Sequence, residues 1–215
     1  MLMNDFKTLA RAAEAEMRGV FAETPLQKNA HLSAIYDADI WLKREDLSPV
    51  RSYKLRGAFN AMRKLPDQKH FVCASAGNHA QGVAYMCRYF DVLGTVFMPV
   101  TTPQQKIHKT KMFGGENVKI ELVGDYFDDC LRAAMDYNKK EAAHFLSPFD
   151  DEDVIEGQAS VAVEIERQLG DAPDQIILPV GGGGLSSGMI SYFENRSHFT
   201  LVEPMGGACL WAALI

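Results

Sequence analysis

The strongest constraint on this 215-residue chain is an alternation. Short apolar runs at 40–42, 71–74, 95–98, 118–123, 176–180 and 200–202 are separated, for the most part, by helix-length segments at 54–65, 78–90, 103–113, 126–141, 157–169 and 184–194. Parallel strands need crossover connections, and helices make the compact ones. Such runs predict short buried strands. The expected class is therefore α/β, with mostly parallel sheets and helices on both faces. Leu9, Ala12, Ala13, Met17 and Val20 lie at helical spacing and predict an amphipathic helix over 5–20, ending near Gly19. SPFDDEDV at 147–154 is the best candidate for a crossing between two lobes.

An apolar fraction of 47% is enough for a real core. A net charge of −6 gives no clustered basic surface for nucleic acid and points to a small-molecule partner. The N-terminal segment MLMNDFKTLARAAEAEMRG carries charges throughout, unlike a signal peptide, and no run reaches membrane-spanning length, so a cytoplasmic address without membrane contact is expected. Cys73, Cys87, Cys130 and Cys209 are scattered, with no CxxC pair, and are expected to be buried reduced thiols.

In α/β sheets, ligands gather where strands end and helices begin. Three such turns stand out. LPVGGGGLSSG at 178–188 follows an apolar strand and precedes a helix. Its four glycines leave backbone N–H groups bare, and the helix start adds partial positive charge, a combination that holds a phosphate dianion without a lysine. The plainer reading is a tight turn that needs glycine for geometry. ASAGNHAQG at 74–82 repeats the arrangement; its amides could receive a carboxylate, and the plainer reading is a helix cap by Ser75 or Asn78 with His79 packed or on the surface. KREDLSPVRSYKLRGA at 43–58 puts Lys54 just inside a helix start near Arg51 and Arg56, where the helix dipole and neighbouring cations would favour a neutral, nucleophilic amine. A solvated charge is the plainer reading there.

Taken in order, KREDLSPVRSYKLRGAFNAM, SAGNHAQGVA, TTPQQKIHKTKMFGG, PFDDEDVIEGQ and PVGGGGLSSG resemble the successive blocks of the biosynthetic threonine dehydratases, within the tryptophan-synthase-β-like (fold-type-II) pyridoxal-phosphate enzymes. The resemblance runs from about residue 20 to residue 205. It implies a two-lobed fold, with 1–66 plus 146–215 as the large cofactor-binding domain, incomplete at its C-terminus, and 67–145 as the small domain. It implies pyridoxal 5'-phosphate as cofactor, bound as a Schiff base to Lys54 with Tyr53 beside the ring. Asn78 would bond the cofactor's 3'-oxygen, and Gly181, Gly182, Gly183, Gly184 and Leu185 would cradle its phosphate. Ser75, Ala76 and Gly77 would receive the substrate carboxylate.

The activity implied is dehydration and deamination of threonine, and of serine in some members, to a 2-oxo acid and ammonia; from threonine the product is 2-oxobutanoate, on the route to isoleucine. Lys54, once displaced, would remove the α-proton, and the cofactor phosphate would protonate the departing hydroxyl. A homo-oligomer is expected. The family's partner for the pyridine nitrogen would lie beyond residue 215. Glu203 matches the acidic residue of a cation site in related racemases, but Gly207 and Cys209 follow it, and no metal is expected. GQAS at 157–160 puts Ala159 where the family usually has glycine. Serine racemase or serine dehydratase is the second reading, and a catalytically silent cofactor-binding fragment the third.

Overall fold

A computed structural model of the chain describes residues 3–214. Its strands are β1 (Leu26–Lys28), β2 (Trp41–Lys43), β3 (His70–Ala74), β4 (Leu93–Met98), β5 (Val118–Leu122), β6 (His144–Phe145), β7 (Gln175–Pro179) and β8 (His198–Val202). Its helices are α1 (Met3–Met17), α2 (Ala30–Tyr36), α3 (Lys54–Arg63), α4 (Asn78–Tyr89), α5 (Gln104–Gly114), α6 (Phe127–Lys140), α7 (Glu152–Leu169), α8 (Gly184–Phe193) and α9 (Cys209–Leu214).

Strands β3 to β6 make one parallel sheet in the order β5-β4-β3-β6. The two-residue period of a strand decides its faces. Phe71 and Cys73 of β3, with Val96 and Met98 of β4, pack into one core with Val83, Ala84 and Met86 of α4. Val72, Ala74 and Phe97 point the other way, onto Cys130 and Ala134 of α6. Helices therefore cover both faces, as strands with no polar alternation require.

The other runs behave differently. Run 40–42 is neither buried nor parallel: it is β2, paired antiparallel with β1, and Trp41 and Leu42 are partly exposed. Strands β7 and β8 pair parallel, with Ile176 opposite Phe199. Ile176 and Leu178 pack against Ala10 of α1, Ala162 of α7 and Met189 of α8, but Ile177 on the opposite face is 68% exposed. An apolar run predicts a covered strand only where a layer is present on each side.

Helix α7 begins at Glu152, five residues before the predicted start, because Asp151 caps it by accepting the N–H groups of Asp153 (2.8 Å) and Val154 (3.0 Å). The acidic stretch read as a lobe crossing thus ends in the first helical turn, where carboxylates suit the helix dipole. Helix α2 escaped the sequence reading because it buries none of its residues and so shows no apolar stripe. All four cysteines are free; Cys73, Cys87 and Cys130 are buried as expected, whereas Cys209 is exposed. Ala159 is fully buried on α7 against the Gly188 backbone of α8.

A buried ion cluster fixes α3 against α7. The Arg56 guanidinium, with no exposed surface, donates to Glu164 (2.7 and 2.9 Å), Glu45 (2.8 and 2.9 Å) and Ser160 Oγ (3.0 Å). Lys43 adds a bond to Glu164 at 2.6 Å. Burial alone would raise the Glu164 carboxyl, but its bonds to Arg56 and Lys43 hold it down at about 2. At the same crossing a side chain on Gly157 would lie 2.6 Å from the Arg56 carbonyl oxygen, so only glycine lets the helices meet.

Because the folded-state value is depressed, the Glu164 carboxylate contributes stability that is complete above its ordinary value of 4.5 and is lost as the pH falls toward about 2. Glu164→Gln leaves Arg56 and Lys43 buried without that charge and is expected to cost about 3–5 kcal/mol in urea unfolding at neutral pH, with a shallower loss of stability on acidification. An unchanged acid limb would contradict this assignment.

Candidate active site

Lys54 occupies the first position of α3, after a loop tightened by its own hydroxyls. Ser48 Oγ accepts the Ser52 N–H at 2.8 Å and donates to the Ser52 carbonyl at 3.0 Å, while Ser52 Oγ accepts the Lys54 N–H at 3.2 Å. Arg51 within this loop has φ +57°, a conformation that costs energy for a residue with a side chain and that the surroundings must hold in place.

The Lys54 amine is turned inward. Nζ donates to the carbonyl oxygen of Pro148 at 2.5 Å and lies 5.4 Å from the centre of the Tyr53 ring. Burial pushes the amine down to about 8. The cations expected to act on Lys54 face elsewhere, with Arg56 engaged by Glu45 and Glu164 and Arg51 exposed. Loss of water, which solvates ammonium better than amine, supplies the shift.

The SAGNHAQG turn runs from the end of β3 into α4. Neither Ser75 nor Asn78 caps the helix through its side chain; Gly77 is the capping residue, and Ser75 Oγ accepts the Gly77 N–H at 3.2 Å. Asn78 is exposed. It helps line a cavity of about 640 Å³ with Val50, Arg51, Gln81, Lys106 and Lys109, and that lining includes neither Lys54 nor the glycine run. Four residues on, a side chain at Gly82 would lie 3.1 Å from the Lys54 carbonyl group, so glycine at this position lets α4 rest on the first turn of α3 and brings the two motifs together.

The glycine run joins β7 to α8. Gly183 has φ +88° and caps α8, so backbone geometry explains that glycine. Gly182 and Gly184 face Phe149: a side chain on Gly184 would lie 3.0 Å from the Phe149 Cα and carbonyl oxygen, and one on Gly182 would enter the Phe149 ring. Neither reason applies to Gly181 or to Gly77. Both lack positive φ, and a side chain on either would meet nothing within 4 Å. Both leave open space beside the chain, and at 181–184 the N-terminus of α8 adds its partial positive charge, which suits an anion.

Lys54 and the glycine run therefore flank one short segment. Pro148 takes the amine on one side, and its neighbour Phe149 lies against Gly182 and Gly184 on the other. Neither Pro148 nor Phe149 was given a role from the sequence; the available signal was their place directly ahead of the Asp151 cap. Glu203, the residue matched to a cation site, instead accepts the N–H groups of Leu210 (2.8 Å) and Trp211 (3.0 Å) at the start of α9.

The α/β scaffold places a half-buried amine at one helix start and an open, glycine-lined turn at another. Residues 17–214 match the pyridoxal-phosphate-dependent enzyme family, and the chain belongs to it. It is 45% identical over 212 residues to the L-threonine dehydratase biosynthetic IlvA of Staphylococcus saprophyticus, covering 94% of this chain and 50% of that protein. It is 46% identical over 202 residues to the protein of the same name from Bacillus subtilis, covering 91% and 48%. The processed form of threonine deaminase isoform 2 from Solanum lycopersicum superposes with a TM-score of 0.89 at 35% identity, covering 99% of this chain and 58% of that one. The chain thus spans about half the length of the curated relatives it matches.

Gly181→Ala separates the cradle from the fold. With open space for the added methyl group, it is expected to change unfolding stability by less than about 1 kcal/mol while weakening pyridoxal phosphate measured by absorbance titration. Gly182→Ala, which must displace Phe149, is expected to lose stability as well. Normal cofactor affinity in Gly181→Ala would remove the anion assignment.

Proposed function

We propose that this chain supplies the cofactor lysine and the phosphate cradle of a threonine dehydratase, converting threonine to 2-oxobutanoate and ammonia. The observation that carries the reading is the placement of a half-buried Lys54 amine and an open glycine turn on the two sides of residues 148–149. The names carried by its relatives, biosynthetic threonine dehydratase and threonine deaminase, support the choice of substrate.

When bound, pyridoxal phosphate supplies an electron sink that weakens bonds at the substrate α-carbon. The chain's residues do the rest. The amides of Gly181, Gly182, Gly183 and Gly184 with Leu185 hold the phosphate, assisted by the α8 N-terminus. The loop of Ser75, Ala76 and Gly77 would receive the substrate carboxylate, although the Ser75 N–H is bonded to the Phe97 carbonyl oxygen (3.0 Å) and the Gly77 N–H to Ser75 Oγ (3.2 Å), and Asn78 would bond the cofactor's 3'-oxygen. Tyr53 would lie beside the ring. Lys54 would hold the cofactor aldehyde and, when free, would take the α-proton at Nζ. An amine already brought down to about 8 is uncharged often enough near neutral pH to do both. In the balance of the reaction the β-hydroxyl leaves as water, one water is consumed at the α-carbon, and the nitrogen leaves as ammonia.

The same proposal includes two lobes, with 67–145 as the smaller; in support, β3 to β6 pair only with one another. It also includes a homo-oligomer and a cytoplasmic setting. No described helix is long and apolar enough to cross a membrane.

The test is made on the purified chain with added cofactor. A visible absorption band and formation of 2-oxobutanoate from threonine are expected, and Lys54→Ala is expected to lose both. A band that survives Lys54→Ala would remove the lysine assignment. A band without product from threonine would withdraw the lyase activity from this chain.

A further inference from the structure

We propose that His79 is a positioning residue for the Lys54 amine, acting through the strap at residues 146–149. The inference rests on the reading of Lys54 as the cofactor lysine and adds a residue to it.

His79 sits at the second position of α4 and is buried. Its Nε2 lies 3.1 Å from the carbonyl oxygen of Leu146. A carbonyl can only accept, so Nε2 carries the hydrogen, and the uncharged ring leaves Nδ1 as a bare acceptor. Nδ1 has no hydrogen-bond partner among the described residues. A charged ring would have to bury a second N–H without an acceptor, next to the charge of Lys54. Burial and that charge hold the ring down to about 4, against a smaller opposing pull from Leu146, so His79 stays neutral across the working range.

From Leu146 the strap continues to Pro148, which takes the Lys54 amine, and to Phe149, which rests on Gly182 and Gly184. One end of the strap is therefore anchored by an imidazole donor on α4, and the other meets both the amine and the cradle. The groups facing the amine are few. His79 approaches from α4 and the Tyr53 ring from the amine's own turn. Asp150 of the strap turns to Ser147 Oγ at the surface, and residues 181–187 carry no ionisable side chain. With no counter-charge in reach, the reactivity of Lys54 depends on how completely the strap keeps water from it.

The experiment uses cofactor-free protein, so that it does not depend on the proposed reaction. Lys54 is labelled with acetic anhydride over a range of pH in competition with a reference amine, and its modification is read by peptide mass spectrometry. Wild-type protein is compared with His79→Gln, whose amide nitrogen can take the place of Nε2, and His79→Asn, whose shorter side chain falls short of Leu146. Wild type and His79→Gln are expected to give a midpoint near 8. In His79→Asn the midpoint is expected to rise toward the ordinary 10.5, with labelling at pH 7 falling about tenfold or more. An unchanged Lys54 profile in a folded His79→Asn would overturn the proposal, and so would an equal shift in both variants. Should His79→Asn fail to fold, the ¹⁵N shifts of the wild-type imidazole decide: hydrogen on Nε2 and none on Nδ1 between pH 6 and pH 8 is expected, and the reverse tautomer would overturn it. A fault in the lysine assignment itself would show separately, as a cofactor band that persists in Lys54→Ala.

Discussion

An ammonium group held against a single carbonyl is poorly solvated, and this condition of Lys54 is the one on which the site depends. In water the amine would be charged and unreactive at neutral pH. Beside Pro148 and the aromatic ring of Tyr53 it is largely withdrawn from water, and that burial favours the neutral form over the charged one. No opposite charge is spent on the amine, and no nearby cation is needed to repel its proton. The arrangement requires the surrounding backbone to be held in place, because a small opening would admit water and return the group to its ordinary value.

Three kinds of contact hold that backbone. The Arg56–Glu164–Glu45 cluster fixes the helix that starts at Lys54 against α7 and the loop before it. Such a cluster gives back much of its Coulomb attraction as lost hydration, so its clearest effect here is to define which faces meet. Glycine contacts set the spacing: Gly157 brings α7 onto α3, and Gly82 brings α4 onto the Lys54 carbonyl group. Hydroxyls at Ser48 and Ser52 close the turn that carries Arg51 at positive φ. The charged cluster, the close helix crossings and the strained turn all converge on the two residues either side of Lys54.

Much of this was legible in the residues. The strand and helix alternation gave the class, since strands such as β3 and β4 are apolar over most of their length and need cover on both sides. The glycine run and the lysine block were recognisable because they break the ordinary composition of an element boundary. Less legible were elements without an apolar signature, such as α2, and strands whose surroundings the pattern cannot report, such as β7 with Ile177 in solvent. The cause of the Lys54 shift was also hidden: proximity in sequence made Arg51 and Arg56 look like its neighbours, whereas the shift comes from burial, and the contact the amine makes is to a backbone carbonyl 94 residues away. A carbonyl has no letter in a sequence, and neither Pro148 nor His79 could be given its part until the fold placed them.

The central claim, that residue 54 is the amine that meets the cofactor aldehyde, is tested most directly by chemical trapping. Pyridoxal phosphate is added to the purified chain, the linkage is reduced with borohydride, and the label is located by peptide mapping at substoichiometric cofactor. The account predicts one labelled peptide, carrying the modification on Lys54. Label spread over surface lysines, or concentrated on another residue with Lys54 unmodified, would contradict it.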